Sequence, residues 1–187
     1  MGALALLLDV GIATALLGAA VFLRVRGRMS SATWRMCWLG WTLGMVWEMA
    51  FYLNGPLFRD DPPYELRVPF PAHPLLQPLL HSVWDAGLFM VGVAAVRRFC
   101  AQPWLARFRW QELGVMVAWG QAQEFCVELI ASGTGAWTFF PRWYNPVLFE
   151  WGIGHITLLP QLIWLVAPVL FYLGALWIQR STEPATA

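Results

Sequence analysis

Apolar positions along the chain gather into five long blocks, over residues 3–23, 34–54, 78–97, 111–132 and 156–179. Each is close to the roughly 20 residues that carry an α-helix across a bilayer core. The first block has the length of a secretory signal. It carries Asp9, however, lacks a basic leading segment, and ends on Arg24 without a small-residue cleavage site, so it is read as a retained helix. The pattern predicts an all-α integral membrane protein, a five-transmembrane-helix bundle formed by a single domain over 1–180. Residues 181–187 are expected to be a short disordered tail.

The polar residues between the blocks orient the bundle. Arg24, Arg26, Arg28 and Arg35 flank the first connection, and Arg97, Arg98, Arg107 and Arg109 the third. The second sets Arg59 and Arg67 against Asp60, Asp61 and Glu65, and the fourth has only Arg142 against Glu150. Positive charge stays on the cytoplasmic side, so the N-terminus is expected outside and the C-terminus inside, in a bacterial inner membrane or a eukaryotic endoplasmic reticulum. The second connection, 55–77, holds Pro56, Pro62, Pro63, Pro69, Pro71 and Pro74. Proline fixes φ and removes a donor, so this segment is stiff and irregular, either a cap over the outer mouth or a spacer.

Composition agrees with a lipid environment. Of 187 residues, 59% are hydrophobic and 12% charged, where soluble domains average about 25% charged. A globule of this size cannot hide that much apolar surface. The net charge of +1 gives nucleic-acid binding no support. Cys37, Cys100 and Cys126 have no metal-ligand spacing and read as small buried hydrophobes. Glu124 and Glu128 have no histidine at helical spacing, and no phosphate-binding glycine pattern or nucleophile elbow is present. No metal and no cofactor are expected.

Four carboxyls interrupt the apolar blocks: Glu48, Asp85, Glu124 and Glu128. A charge at mid-membrane costs about 2.5–3.5 kcal/mol on insertion scales, so such groups mark function by default. At about 1.5 Å per residue, Glu48 lies about 9 Å, Asp85 about 10 Å, Glu124 about 12 Å and Glu128 about 6 Å inside the outer ends of their helices. Gln161 lies about 9 Å and Trp164 about 13 Å deep by the same rise. Antiparallel helices bring all of them to one depth, in the non-cytoplasmic half. Helical spacing puts Trp41, Met45, Glu48 and Tyr52 on one stripe and Gln121, Glu124 and Glu128 on another. Thr157, Gln161, Trp164 and Pro168 form a third. His81 stands one turn before Asp85, within reach of a hydrogen bond, and Pro160 and Pro168 suggest a bent fifth helix. Of the 13 tryptophans, Trp34, Trp38, Trp104, Trp110, Trp137, Trp143 and Trp177 sit near span ends and read as interface anchors. Trp47, Trp84 and Trp164 lie beside the carboxyls, where an indole face can stabilise a cation. His155 stands at the mouth of the fifth helix, and His73 in the proline-rich connection reads as solvated.

Four segments, in order over residues 38–175, carry a family likeness. They are GWTLGMVWEMAFYL around Glu48, HSVWDAGLFMVGV around Asp85, VAWGQAQEF with Gly120 and Gln121, and QLIWLVAPVLF with Trp164 and Pro168. Together they resemble the emopamil-binding-protein family, whose EXPERA fold has five transmembrane helices and which includes the sterol Δ8–Δ7 isomerase. That resemblance implies a reaction in which an acid protonates a ring double bond, aromatic faces hold the carbocation, and a neighbouring proton leaves. Glu48 and Asp85 would share the acid and base roles and Trp164 would shield the cation. The family's histidine one turn before the first acid is replaced here by Gly44, and His81 would substitute from the facing helix. A second, single-segment likeness links Trp47, Glu48, Tyr52 and Pro56 to the membrane-bound terpene cyclases of fungal meroterpenoid pathways.

The expected function is therefore an isomerase or cyclase acting on a sterol-like or terpenoid lipid, by protonation of a C=C bond or epoxide. Its catalytic residues would be Glu48, Asp85 and His81. Trp47, Tyr52, Trp84, Gln121, Glu124, Gln161 and Trp164 would bind substrate. The alternative is a non-catalytic sterol- or lipid-binding or transport protein of the same fold. The partners are then the lipid substrate, the bilayer and, optionally, a second copy in a homodimer.

Overall fold

A computed structural model describes residues 1–54 and 63–182. Five long helices account for most of it: α1 (Gly2–Val25), α2 (Ser31–Tyr52), α3 (Leu76–Phe99), α4 (Trp110–Thr134) and α5 (Leu158–Thr182). Their ends follow local chemistry. The Ser30 hydroxyl caps α2 by accepting from the Thr33 N–H at 3.1 Å. Gly135, at φ 72°, closes α4 in the left-handed conformation that glycine adopts without strain. Arg97 and Arg98 stand in the last turn of α3, at the negative end of its dipole.

Helices α1, α3 and α5 are long and apolar enough to cross a membrane. Helices α2 and α4 match them in length, at 22 and 25 residues. They carry more polar side chains, among them Glu48 on α2 and Glu112, Gln121, Gln123, Glu124 and Glu128 on α4.

The expectation of an all-α chain is corrected in the connections. β1 (Tyr64–Leu66) pairs antiparallel with β2 (Trp137–Phe139). β3 (Val147–Trp151) and β4 (Gly154–Thr157) form an antiparallel hairpin turned by Gly152 at φ 61°. Residues 156 and 157, expected to open the fifth helix, belong to β4, because the backbone of that segment pairs with β3. Helix α5 runs on through Ser181 to Thr182, two residues into the expected tail, and residues 183–187 lie outside the described residues. Pro56, Arg59, Asp60, Asp61 and Pro62 also lie outside them.

The core is shared by α2, α3, α4 and α5 around Met36, Phe89, Met116, Trp164 and Phe171. Phe89 and Phe171 stack with ring centroids 4.5 Å apart. Small residues let the helices close up. A Cβ on Gly40 would stand 3.0 Å from the Ala86 Cα, and one on Gly120 would stand 2.6 Å from the Pro168 ring. The Gly-Gln and Trp…Pro segments thus touch where α4 crosses α5. Helix α1 packs chiefly along α3 and is the least embedded of the three apolar helices. Cys37 and Cys100 are half-buried, but Cys126 is exposed rather than buried, because it sits on the outward face of α4.

Candidate functional site

Helices α1 to α5 and the β1–β2 ribbon line one small cavity of about 90 Å³ that carries a cluster of polar side chains. Its polar lining is Asp9 of α1, Glu48 of α2, His81 and Asp85 of α3, Gln123 and Glu124 of α4, and Tyr64 of β1. Its aromatic walls include Trp47, Phe51, Trp84, Trp137, Phe139 and Trp164. Trp47 meets Trp164 edge-on at 5.9 Å, and Phe89 backs Trp164 at 5.1 Å. Rings locked this way lose little entropy on receiving a ligand.

The expected His81–Asp85 hydrogen bond is replaced by a longer-range arrangement. His81 Nδ1 is 3.2 Å from Glu48 Oε2, within hydrogen-bond distance. His81 Nε2 stands 2.8 Å from Asp9 Oδ2, in ion-pair contact without hydrogen-bond alignment. One imidazole therefore joins carboxyls from α1 and α2. The reason lies in the α2–α3 crossing. A Cβ on Gly44 would stand 2.6 Å from Asp85 Oδ2 and 2.9 Å from its Cβ, so glycine makes the room that Asp85 occupies. A histidine at position 44 is sterically excluded by the same contact.

Asp85 and Glu124 are buried, at 6% and 7% exposure. Glu48, Glu124 and His81 are the charged neighbours of Asp85. Among the described residues, Asp85 Oδ2 and Gln123 Oε1 have no hydrogen-bond partner. Leaving a buried acceptor unpaired costs about 1–3 kcal/mol, and both residues line the same cavity.

Several expected site residues lie elsewhere. Gln121 Nε2 donates to the Gln161 carbonyl at 2.9 Å, and Gln161 Nε2 donates to Glu128 Oε2 at 2.7 Å. Glu128 also accepts from the Thr157 N–H and hydroxyl, both at 3.4 Å. These residues brace α4 against α5 and do not line the cavity. Tyr52 is buried but turned away from it. The stripes fail here because a helical face fixes direction, whereas the neighbouring helix decides what that face meets. His155 pairs with Glu150 across the β3–β4 hairpin, away from the cavity. His73 is exposed. Trp137, expected to anchor at the interface, lies in β2 and tilts over His81 at 6.2 Å.

The sequence reading missed Asp9, Tyr64 and Gln123. Asp9 carried a signal: an isolated aspartate two turns into an apolar helix needs a partner inside the bundle. Tyr64 closes the cavity from the proline-rich connection, where its hydroxyl accepts from Gln77 Nε2. The described part of that connection, after residue 62, is thus a cap and not a spacer. Burial, then the charge of Glu48, push the Tyr64 phenol above its ordinary range.

No group of three His, Cys, Asp or Glu side chains among the described residues is arranged to hold a metal ion. No family model, curated protein or solved structure matches the chain. Chemically, the site offers a carboxyl–imidazole–carboxyl chain for moving protons, a second buried acid pair, and aromatic walls.

Proposed function

We propose that the protein is a five-span membrane-embedded isomerase or cyclase that protonates a C=C bond or epoxide of a terpenoid or sterol-like lipid. One observation carries this: acids from four helices and a shared imidazole converge on one cavity walled by indoles. Glu48 is the proton donor, recharged through His81. Asp85 or Glu124 takes the proton released by the neighbouring carbon, and Trp47, Trp84 and Trp164 face the cation between those steps. The N-terminus lies outside and the C-terminus in the cytoplasm.

Cavity size sharpens the substrate class. Pockets for drug-sized ligands run to about 300–1,000 Å³, while this one holds about 90 Å³. That suits the reacting end of an isoprenoid chain better than a whole fused ring system. This favours cyclase-like or chain-isomerising chemistry within the emopamil-like plan.

The non-catalytic binder has one observation in its favour, since the unpaired Asp85 and Gln123 oxygens also suit a lipid hydroxyl. Incubating the purified protein with a total lipid extract in D2O separates the two. The enzyme incorporates deuterium into an alkene lipid, as read by mass spectrometry, and a binder does not. Absence of deuterium uptake across microbial and sterol-rich extracts would sink the proton-transfer mechanism.

A further inference from the structure

A second hollow lies on the other side of the α2–α3 pair. It is a groove of about 710 Å³ between α1 and the α2–α3 pair, far larger than the polar cavity. Its walls are almost wholly apolar, with Leu16 and Ala20 of α1, Trp38 and Trp41 of α2, and Gly87 and Met90 of α3. It exists because α1 follows α3 closely, where Leu16 fills the space over Gly87, and leans away from α2. A groove this apolar on helices fit to cross a membrane repels water and fits hydrocarbon.

The end nearest the α1–α2 connection identifies the head that goes with the tail. Leu23, Met29, Thr33 and Trp34 line that end. Around them stand the exposed side chains of Arg24, Arg26, Arg28 and Arg35. The Arg24 guanidinium donates to the Met29 carbonyl at 3.3 Å, which fixes one charge directly at the rim. Among residues 23–36 no Asp or Glu offsets these four charges. An uncompensated basic rim above a hydrocarbon-lined groove complements a lipid carrying a phosphate and negative headgroup.

We propose that the α1–α2–α3 groove is a binding site for one anionic diacyl phospholipid of the bilayer. One acyl chain lies between Leu16 and Trp38, and the phosphate is held by the α1–α2 arginines. Such a lipid fills the gap that α1 leaves beside α2 and fastens the least embedded helix to the bundle. This site is separate from the polar cavity, and its existence does not depend on any catalytic activity.

Native mass spectrometry of the full chain, titrated with phosphatidylglycerol or with phosphatidylcholine of the same acyl chains, tests the proposal. The expected result is one retained phosphatidylglycerol, bound at least tenfold more tightly than phosphatidylcholine. Replacing Arg24, Arg26, Arg28 and Arg35 by glutamine should weaken the anionic lipid by about fivefold per arginine and abolish the preference. Filling the groove with Ala20→Phe and Ala94→Phe, both away from the closed core, should remove bound lipid of either kind while circular dichroism stays helical. Equal binding of the two lipids, a preference that survives loss of the arginines, or undiminished lipid in the folded filled-groove variant would each overturn it. So would a lipid-free dimer formed through α1 and α2, with a second copy occupying the groove.

Discussion

Two carboxyl sites sit at opposite ends of this bundle, and they are built on opposite terms. At the end nearer the α3–α4 connection Glu112 is fully buried. It accepts from the Tyr172 hydroxyl at 3.1 Å and from the Leu105 N–H at 3.3 Å, with the Arg109 guanidinium 3.6 Å away. Both of its oxygens are spoken for, and the groups around it tie the α3–α4 connection to α5. Toward the other end, Asp85 is nearly as buried but has an unpaired oxygen, three ionisable neighbours and a cavity beside it. A buried acid with every hydrogen bond made serves the fold. A buried acid left short, beside a cavity, is the one the proposed function uses to exchange a proton.

That contrast breaks most sharply on activity. Glu48→Gln and Asp85→Asn should each lower deuterium transfer into lipid by at least about 100-fold, the usual scale of general acid–base catalysis, with little change in thermal stability. Glu112→Ala should do the reverse. It strands the Tyr172 hydroxyl and the Leu105 N–H, at a cost of about 1–3 kcal/mol, and the melting temperature should fall by about 2–4 °C per kcal/mol. Turnover per folded molecule should persist. If Glu112→Ala silenced folded protein while Asp85→Asn only destabilised it, the two assignments would have to be exchanged.

Glycine substitutions refine the boundary between site and scaffold. Gly44→Ala pushes directly on Asp85, whereas Gly40→Ala pushes on Ala86 and Phe89. Each overpacks a helix crossing, at about 1–3 kcal/mol, but only Gly44→Ala should also impair proton transfer. Equal activity in the two variants would mean that the placement of Asp85 is not critical.

The smallest effect concerns Tyr64. Burial raises its folded-state pKa above the unfolded value. The stability it contributes is therefore complete below about pH 10, the ordinary tyrosine value, and declines as pH rises beyond that. Tyr64→Phe should lose about 0.5–1.5 kcal/mol with the Gln77 hydrogen bond and show a flatter alkaline limb in melting temperature. An unchanged alkaline limb would place the Tyr64 phenol in contact with water.

Much of this was legible in the chain itself. Apolar block length located five helices to within a few residues, because each helix satisfies its own backbone and needs only apolar side chains to persist in lipid. The cost of a charge among those side chains singled out Glu48, Asp85, Glu124 and Glu128, and depth along antiparallel helices set them at similar levels, but Glu128 does not line the cavity. Tertiary structure decided the partnerships. His81 reaches Glu48 and Asp9 on other helices instead of Asp85 on its own, because Gly44 lets Asp85 fill the α2–α3 crossing. Glu128, Gln121 and Gln161 satisfy one another between α4 and α5, whereas Gln123, one residue from Glu124, turns to the cavity. Spacing within one helix fixes which way a side chain points. What it meets there depends on the rotation and approach of a neighbour far away in sequence, and those are set only when the whole bundle packs.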